Sequence, residues 1–374
     1  MKIKVLTVTP ALSLCGGIEG YTMNYYRNMS DNIEMDFITH EMKDEYYKKE
    51  ITSRGGKVYL MPRINSRNLK EFLTKISVFF KQNHEYDIIH CNMANAAIFY
   101  FYFAKKYGIK VRILHSHQNN LSDKFTHRLR NAPLIYFGKK MATHNFACSK
   151  IAGDFLYKKQ KYELINNAID VEKFKYNEEI RKKIRKKEKF EKDEIVFANI
   201  GRFCNQKNQL FLIEIFNRIH EKNSKTKLLL IGAGELKEKI IKKIGLFGLN
   251  NCVFVKNSIN NVNEYLQAID VLVMPSLYEG LPVIGVEAQA AGVKCFFSNT
   301  ITKEAKILDK TEYINLNSSP DEWADIILEK IKNLERVDET KTLQNKGYDI
   351  KKESQKMENL YMEYIKEDKN GKQS

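Results

Sequence analysis

The stretch DVLVMPSLYEGLPVIGVEAQAAGVKCFFS, Asp270 to Ser298, is the part of this 374-residue chain that says most about its fold. An apolar run leads into a turn that carries Glu279 and Gly280. A helix is predicted from Pro282 to Gly292, because proline near the first turn and glycine just after the last are typical helix boundaries. A second apolar run follows. This order predicts one unit of a parallel sheet covered by helices.

The same alternation of apolar strands and amphipathic helices recurs along the whole chain. The predicted strands fall into two series: Ile3–Thr9, Met35–Thr39, Lys57–Leu60, Asp87–His90, Val111–His115, Asn145–Ala147 and Glu163–Ile165, then Ile195–Ile200, Lys227–Ile231, Cys252–Val255, Val271–Met274, Lys294–Phe297 and Tyr313–Leu316. The predicted fold class is α/β, with two Rossmann-like, doubly wound parallel-sheet domains that face an interdomain cleft. Ligands are expected at the carboxyl ends of the strands.

A charged segment between the two series indicates the domain boundaries. Residues 171–194 contain Glu178 to Glu194, the most charged stretch of the chain, and are predicted to be an exposed helix or connector. The N-terminal domain is then 1–170 and the C-terminal domain 195–349. A final helix over about 350–368 has one apolar face, so we expect it to pack back on the N-terminal domain.

The formal charge of +16 lies mostly in the first half of the chain. Residues 1–165 contain 26 Lys and Arg against 14 Asp and Glu, a net charge of +12. Such a surface suits anionic lipid headgroups, phosphorylated acceptors or nucleic acid, but it is equally typical of a lysine-rich solvated surface. A hydrophobic content of 43% excludes a mostly disordered chain.

The cysteines and the apolar segments bear on location. No two of the six cysteines are closer than 43 residues, which argues against a zinc site or a disulfide framework and favours a reducing cytoplasm. Pro10 interrupts the apolar start of the chain, which is interpreted as a first strand rather than a signal peptide. The longest apolar run, Ala96 to Ala104, is too short to cross a bilayer. We therefore expect a cytoplasmic protein.

Glu279 and Glu287 flank a turn that is suited to anions. Backbone N–H groups in the first turn of a helix, together with the helix dipole, attract negative charge, and Gly280 allows close approach of a ligand. Two carboxylates beside such a turn suit a ligand that has both phosphates and hydroxyls, such as a sugar nucleotide. The alternative is a capping Glu279 and an ordinary solvated Glu287.

The same segment resembles the E-x7-E motif of retaining glycosyltransferases of family 4, which have the two-domain GT-B fold. Other segments resemble further parts of that family: GG at Gly16-Gly17, ACS at Ala147–Ser149, NNAIDVEKF at Asn166–Phe174 and NIGRFCNQKN at Asn199–Asn208. The resemblance extends over nearly the whole chain. It is greatest to members that build capsular or exopolysaccharides.

The resemblance implies a role for each matching residue. A nucleotide-sugar donor would be bound by Gly16, Gly17, Arg202, Lys207, Glu279, Gly280, Leu281, Pro282 and Glu287. Arg202 and Lys207 would hold its diphosphate, for which paired cations are apt. Glu287 would accept hydrogen bonds from the ribose, and Glu279 would contact the donor sugar. The alternative for the two cations is ordinary surface charge.

Histidines at strand ends are further candidates for catalysis, together with Glu279. His115 and His117 lie at the end of the predicted strand Val111–His115. The resemblance implies that one of them contacts a hydroxyl of the donor sugar, and His115 is preferred. The alternative is a pair of histidines whose hydrogen bonds the backbone satisfies. For His90, at another strand end, a structural role is favoured.

No cofactor and no metal ion are expected. GAGE at Gly232–Glu235 lacks the third glycine of a dinucleotide-binding loop, so a structural turn is favoured over NAD binding. The sequence has no D-x-D motif, and Arg202, Lys207 and a helix N-terminus would offset the charge of a leaving diphosphate. Retention in the resembling family is drawn as front-face attack by the acceptor.

A basic stretch in the first half of the chain contains many apolar residues. It interleaves Lys124, Arg128, Arg130, Lys139 and Lys140 with Phe125, Leu129, Ile135, Tyr136 and Phe137. Such a segment can lie on an anionic membrane and meet a lipid-linked acceptor. The alternative is a helix that packs its apolar face inward.

Together, these patterns and the resemblance predict a retaining glycosyltransferase. It would move a hexose or N-acetylhexosamine from a nucleotide sugar, with UDP expected from the resemblance, to a glycan or lipid-linked saccharide in cell-surface polysaccharide synthesis. No nucleic-acid partner is expected. Three alternatives stay open: a sugar-nucleotide epimerase of the same fold, a basic nucleic-acid-binding protein and a degenerate, non-catalytic partner.

Overall fold

The computed structural model describes residues 2–14, 16–42, 45–64, 68–117 and 125–370. The chain divides into two compact units. Unit 1 comprises Met1–Asn167 and Ile350–Ser374, and unit 2 comprises Ala168–Asp349. Each unit contains its own parallel sheet.

The described strands occur in two parallel sheets. They are β1 (Ile3–Thr9), β2 (Ile33–Thr39), β3 (Val58–Leu60), β4 (Ile88–Cys91), β5 (Val111–Ser116), β6 (His144–Ala147), β7 (Glu163–Leu164), β8 (Ile195–Ile200), β9 (Thr226–Ile231), β10 (Val253–Lys256), β11 (Val271–Met274), β12 (Lys294–Ser298) and β13 (Thr311–Ile314). The order is β3-β2-β1-β4-β5-β6-β7 in unit 1 and β10-β9-β8-β11-β12-β13 in unit 2. Every predicted strand is confirmed, and the fold is two Rossmann-like domains.

Helices connect these strands and cover both sheets. They are α1 (Gly17–Asn28), α2 (Tyr46–Ser53), α3 (Leu69–Gln82), α4 (Ala97–Lys106), α5 (Phe125–Met141), α6 (Lys150–Tyr157), α7 (Val171–Phe174), α8 (Glu178–Glu188), α9 (Gln209–Lys222), α10 (Lys237–Leu246), α11 (Val262–Ala268), α12 (Val283–Ala290), α13 (Pro320–Lys330), α14 (Thr340–Asn345) and α15 (Ile350–Asn370). In β8, Val196 and Ala198 join one hydrophobic core and Phe197 joins another. Side chains alternate along a strand, so this sheet is buried on both faces.

The segment 171–194 forms part of unit 2 rather than a separate connector, and its helix α8 keeps Lys182, Lys183, Lys186 and Lys187 exposed. Ile184 of the same helix is buried against the core of unit 2. The guanidinium groups of Arg181 and Arg185 lie 2.7 and 3.2 Å from the carboxylate of Asp270. A buried carboxylate requires such partners, so Arg181 and Arg185 anchor α8 to the sheet.

Helix α15 packs on unit 1, although it is remote in sequence. Its Glu358 carboxylate accepts hydrogen bonds from the backbone N–H and the hydroxyl of Ser30. Tyr364 stacks on His144 with ring centroids 3.5 Å apart, and Tyr361 is fully buried. The end of the chain thus completes the core of the domain that its beginning forms.

Candidate active site

The turn between β11 and α12 stands at the carboxyl end of a central strand of unit 2. Pro282 is the N-cap of α12, and Gly292 follows the helix with a φ of +69°. Leu281 and Pro282 are buried, whereas Gly280 is partly exposed. The N–H groups of the first turn of α12 therefore lie next to Gly280, as an anion site requires.

Glu279 forms the centre of a polar cluster at this turn. Its carboxylate is 7% exposed, and its Oε1 lies 2.6 Å from Nζ of Lys207. Its Oε2 accepts a hydrogen bond of 3.3 Å from Nε2 of Gln206, which also donates to the carbonyl of Tyr278. An ion pair with two defined partners holds the carboxylate in one orientation.

Lys207 and Arg202 reach the cluster from the loop after β8. Gly201 has a φ of +155°, and a single helical turn, Asn205–Lys207, precedes α9. The amide of Asn208 donates to the carbonyl of Pro275, which ties this loop to the β11–α12 turn. Arg202 is exposed, and its guanidinium is 3.5 Å from Oε1 of Gln206. Gln206 thus lies between Arg202 and Glu279.

The GAGE segment, Gly232–Glu235, packs against the loop that carries Arg202. Ala233 accepts a hydrogen bond from the backbone of Phe203, and Leu236 donates one back to Phe203. A Cβ atom at Gly232 would lie 1.9 Å from the carbonyl oxygen of Gly201. Only glycine therefore allows the two loops to approach this closely. This geometry agrees with the structural interpretation of the segment.

Glu287 lies eight positions after Glu279, in the second turn of α12, and its side chain is half-buried. Its backbone carbonyl accepts from Ala291 at the end of the helix. The structure thus places Glu279 and Lys207 in direct contact, and Gln206 links Arg202 to them. Glu287 lies further along the chain, in the second turn of α12.

The histidines form a second polar cluster, at the carboxyl edge of the sheet in unit 1. His90 and His115 are the penultimate residues of β4 and β5. Nε2 of His90 is 2.9 Å from Nδ1 of His115, and Nδ1 of His90 is 2.6 Å from the hydroxyl of Tyr361. The ring of Phe146 packs edge-on against both histidines.

His117 stacks on His115 with ring centroids 4.2 Å apart. Its Nε2 lies 2.8 Å from Oδ1 of Asn92, whose amide nitrogen donates to the carbonyl of Val8. Nε2 of His115, in contrast, is buried without a hydrogen-bond partner among the described residues. The two candidates therefore differ, because His115 has a buried ring nitrogen without a partner in the described part of the chain and His117 is partly exposed.

Burial keeps all three imidazoles neutral. It lowers the pKa of His90 and of His117 to about 3, with the charge of His90 adding to the effect on His117. Burial, followed by the charges of His117 and His90, lowers the pKa of His115 well below its usual value. Desolvation disfavours the protonated ring, so each histidine carries a single N–H near neutral pH.

Gly16 and Gly17 begin α1 at the same edge of unit 1. Gly16 is the N-cap, and a Cβ atom there would lie 1.8 Å from Oε2 of Glu19. One turn further along α1, the hydroxyl of Tyr21 is 3.4 Å from Nδ1 of His115. The glycine turn and the histidines are thus linked through α1.

Sequence reasoning missed Gln206, Asn92 and Tyr361. Gln206 adjoins Lys207, so a search for side chains between the two cations could have found it. Tyr361 carried no local signal, because it is 271 positions from its partner His90. Over the residues described, no group of three or more His, Cys, Asp or Glu is arranged to hold a metal ion. Within the same ranges, no helix is long and apolar enough to cross a membrane.

Comparisons with known proteins agree with this architecture. The family model "Glycosyl transferases group 1" matches residues 180–348, and "Glycosyltransferase Family 4" matches 15–173. EpsF of Bacillus subtilis (strain 168), whose name assigns it to the glycosyltransferases, is 30% identical over 83% of this chain and 84% of its own length. The capsular polysaccharide biosynthesis glycosyltransferase CapH of Staphylococcus aureus is 22% identical over 96% of this chain and 99% of CapH.

Among solved structures, Anabaena Alr3699/HepE in complex with UDP and glucose has a TM-score of 0.79 at 16% identity, covering 96% of this chain and 99% of that one. At this identity the likeness shows the fold alone, which is GT-B. The two family models together span both units, and the similarity to EpsF extends over most of each chain. The chain therefore belongs to the group 1 glycosyltransferases, family 4, and is a transferase of glycosyl groups.

Proposed function

We propose that the protein transfers a hexose or N-acetylhexosamine from UDP-sugar, with retention of configuration, to a glycan or lipid-linked saccharide of the cell surface. The Lys207–Glu279 ion pair beside the N-terminus of α12 carries the proposal. Cations and backbone N–H groups at one strand end suit a diphosphate, and a fixed carboxylate suits sugar hydroxyls. The complex of HepE with UDP and glucose, a protein of the same fold, supports the choice of UDP.

The residues divide the work as follows. Arg202 and Lys207 bind the diphosphate, and Lys207 stabilises the charge that develops on it as the glycosidic bond breaks. Glu279 orients the donor sugar and Glu287 accepts from the ribose, while the backbone N–H groups of Gly280 and Leu281 face the distal phosphate. Gly16 and Gly17 leave room for the donor at unit 1, and His115 contacts a sugar hydroxyl.

Retention is proposed to follow front-face attack by the acceptor, assisted by the leaving phosphate. A covalent route would need a free carboxylate as nucleophile. Glu279 is engaged on both oxygens, by Lys207 and by Gln206, which makes it a poor nucleophile. We propose further that no metal ion is needed, since two cations and a helix N-terminus supply the positive charge.

A thermal-shift and hydrolysis screen tests the donor site. Purified protein is measured against UDP, GDP and their common sugars, with and without EDTA, and Lys207→Ala and Glu287→Ala serve as site variants. UDP and one UDP-sugar should raise the Tm regardless of EDTA, and both variants should lose that shift. A Tm shift with GDP alone would mean that the donor nucleotide is GDP rather than UDP. Loss of the shift in EDTA would overturn metal independence.

The face of α5 supports a lipid-linked acceptor and a peripheral position on an anionic membrane at the cytoplasmic side. Leu129, Tyr136 and Phe137 are 62%, 51% and 52% exposed, in a helix that also exposes Arg128, Arg130 and Lys140, while Ile135 is buried. Lys124 lies outside the described residues. Exposed aromatic and basic side chains on one helix suit a headgroup layer.

Liposome sedimentation tests this membrane contact. Lys140→Glu should weaken binding to phosphatidylglycerol vesicles about threefold to tenfold, because each basic residue contributes ~1 kcal/mol near an anionic surface. Lys139 is not suitable, since its ammonium donates to the carbonyl of Leu156 and holds the end of α6. Lys70→Glu on the exposed face of α3 is the matched control. Equal binding of the two variants would refute the α5 contact.

A further inference from the structure

A chain of three hydrogen-bonding side chains runs from the last helix to the edge of the sheet in unit 1. The hydroxyl of Tyr361 on α15 is 2.6 Å from Nδ1 of His90, and Nε2 of His90 is 2.9 Å from Nδ1 of His115. All three side chains are at most 3% exposed. This row of hydrogen bonds ends at Nε2 of His115, which is buried and has no partner in the described part of the protein.

The direction of these hydrogen bonds follows from the available donors. Each neutral imidazole has one N–H and one acceptor nitrogen. If Tyr361 donates to His90, then His90 must donate to His115, and the proton of His115 lies on Nε2. If the order is reversed, His90 donates to Tyr361, and the phenolic hydrogen of Tyr361 needs another acceptor.

No such acceptor is found, since the Tyr361 hydroxyl has no second hydrogen-bond partner within the described residues. The reversed order would leave a buried O–H and a buried ring nitrogen unsatisfied, whereas the forward order leaves only the N–H of His115. The hydroxyl of Tyr21, 3.4 Å from Nδ1 of His115, does not distinguish the two orders, because a hydroxyl can donate or accept.

We propose that Tyr361 and His90 are positioning residues that fix His115 as a neutral Nε2–H donor aimed at an oxygen of a bound sugar. A buried N–H without a partner is costly, and an oxygen acceptor from a ligand removes that cost. His115 then donates a hydrogen bond to a sugar hydroxyl and does not accept its proton. The last helix of the chain thereby sets the protonation pattern of a residue in the fifth strand. This inference rests on the proposed function for the identity of the ligand.

Tyr361→Phe tests the proposal, because it removes the donor at the start of the chain and keeps the ring. Side-chain 15N NMR of histidine-labelled protein reads the tautomer directly, with His115→Asn used to assign the signals. In the wild type, Nε2 of His115 should carry the proton. In Tyr361→Phe, His90 is free to turn over its own tautomer, so the Nδ1-protonated form of His115 should appear.

Kinetics provide the second measurement. Tyr361→Phe should lower kcat for glycosyl transfer by roughly tenfold, part of the 10²–10³-fold effect of losing a whole preorganised donor. The KM for the donor should stay within about twofold, because His115 itself remains. Tyr364→Phe is the matched control: it lies on the same helix, stacks on His144 and lies outside the chain.

Two results would overturn the inference. One is a wild-type His115 with its proton on Nδ1, and the other is a Tyr361→Phe variant that matches Tyr364→Phe in both tautomer and kcat. If Tyr361→Phe does not fold, the wild-type NMR spectrum still decides. Failure of the proposed function has a different appearance, since UDP would then give no thermal shift whatever the tautomer of His115.

Discussion

At the carboxyl edge of the sheet in unit 2, Lys207 pairs with Glu279 and Arg202 is exposed nearby. At the same edge in unit 1, His90 and His115 are buried and neutral, although this half of the chain carries most of the net charge. The two sheets have equivalent strand orders. The topology therefore determines where ligand-facing groups stand, and burial determines whether they are charged. In the proposed function, unit 2 binds the diphosphate and unit 1 contacts neutral hydroxyls.

Lowering the pH should produce the largest difference in stability between the two units. His90, His115 and His117 have folded pKa values lowered far below the unfolded value of about 6.5. Between these values the unfolded state binds more protons, so stability falls as the pH drops below about 6.5, by up to ~1.4 kcal/mol per pH unit for each histidine. Unit 2 contains only His220, and carboxylates such as Asp338, with a pKa of about 2, lose their contribution below about pH 4.

Hydrogen exchange at pH 7.5, 6.0 and 5.0 in moderate urea checks this difference unit by unit. Peptides of unit 1 should lose protection by pH 5.0 while those of unit 2 keep most of theirs. Earlier loss in unit 2 would show that its ion pairs, rather than the buried histidines, limit stability in mild acid.

Removing the cation of the central ion pair should have the next largest effect. Lys207→Met leaves the Glu279 carboxylate without its ammonium partner and the diphosphate without a charge-assisted donor, so kcat should fall about 100-fold. Initial rates with a UDP-sugar measure the loss. Lys222→Met, which removes a surface ion pair with Asp325, is the control and should stay within about twofold. A Lys207→Met variant with near-normal rates would show that the charge of Lys207 in unit 2 is not needed for catalysis.

The contact between Glu358 of α15 and Ser30 is expected to affect the stability of unit 1 alone. Glu358→Ala removes a buried carboxylate that accepts two hydrogen bonds from Ser30, and it should lower the free energy of unfolding of unit 1 by ~2 kcal/mol. Urea denaturation measures the change, with the exposed Glu363→Ala as control. UDP affinity should not change, because the proposed nucleotide site lies in unit 2. A weaker UDP affinity in Glu358→Ala but not in Glu363→Ala would contradict that division.

The smallest effect is expected for the exposed cation. Arg202→Gln removes a guanidinium that contacts Gln206 only at 3.5 Å, so we expect about a tenfold increase in the donor KM with little change in kcat. Arg218→Gln, an exposed arginine on α9, serves as control. A change in kcat instead of KM would mean that Arg202 acts in the transition state, like Lys207.

The sequence sufficed for elements whose evidence is local. Every strand could be predicted, because buried parallel strands are continuous apolar runs. The β11–α12 turn could be predicted because Pro282 and Gly292 mark the two ends of the helix. The role of Arg185 in the segment 171–194 could not be predicted, because its partner Asp270 is 85 positions away. Long-range partners of this kind leave no local pattern.

The candidate site shows the same limit. The resemblance pointed to His115 and His117 together, and only their different partners, His90 for His115 and Asn92 for His117, distinguish them. The sequence could not indicate that Gln206 joins Arg202 to Glu279, because the orientation of an amide side chain depends on the packing around it. Contacts, rather than residue types, were the missing information.

The placement of α15 has a consequence for synthesis on the ribosome. Residues 168–349 form unit 2 from one continuous stretch, so this domain can complete its core as soon as it has emerged. Unit 1 must wait for Ile350 to Asn370, although its sheet is made first. Until then, the surface that α15 covers is exposed, and the long loop to be closed slows the final docking. Of the two units, unit 1 is therefore the one that starts to be translated first and is completed last.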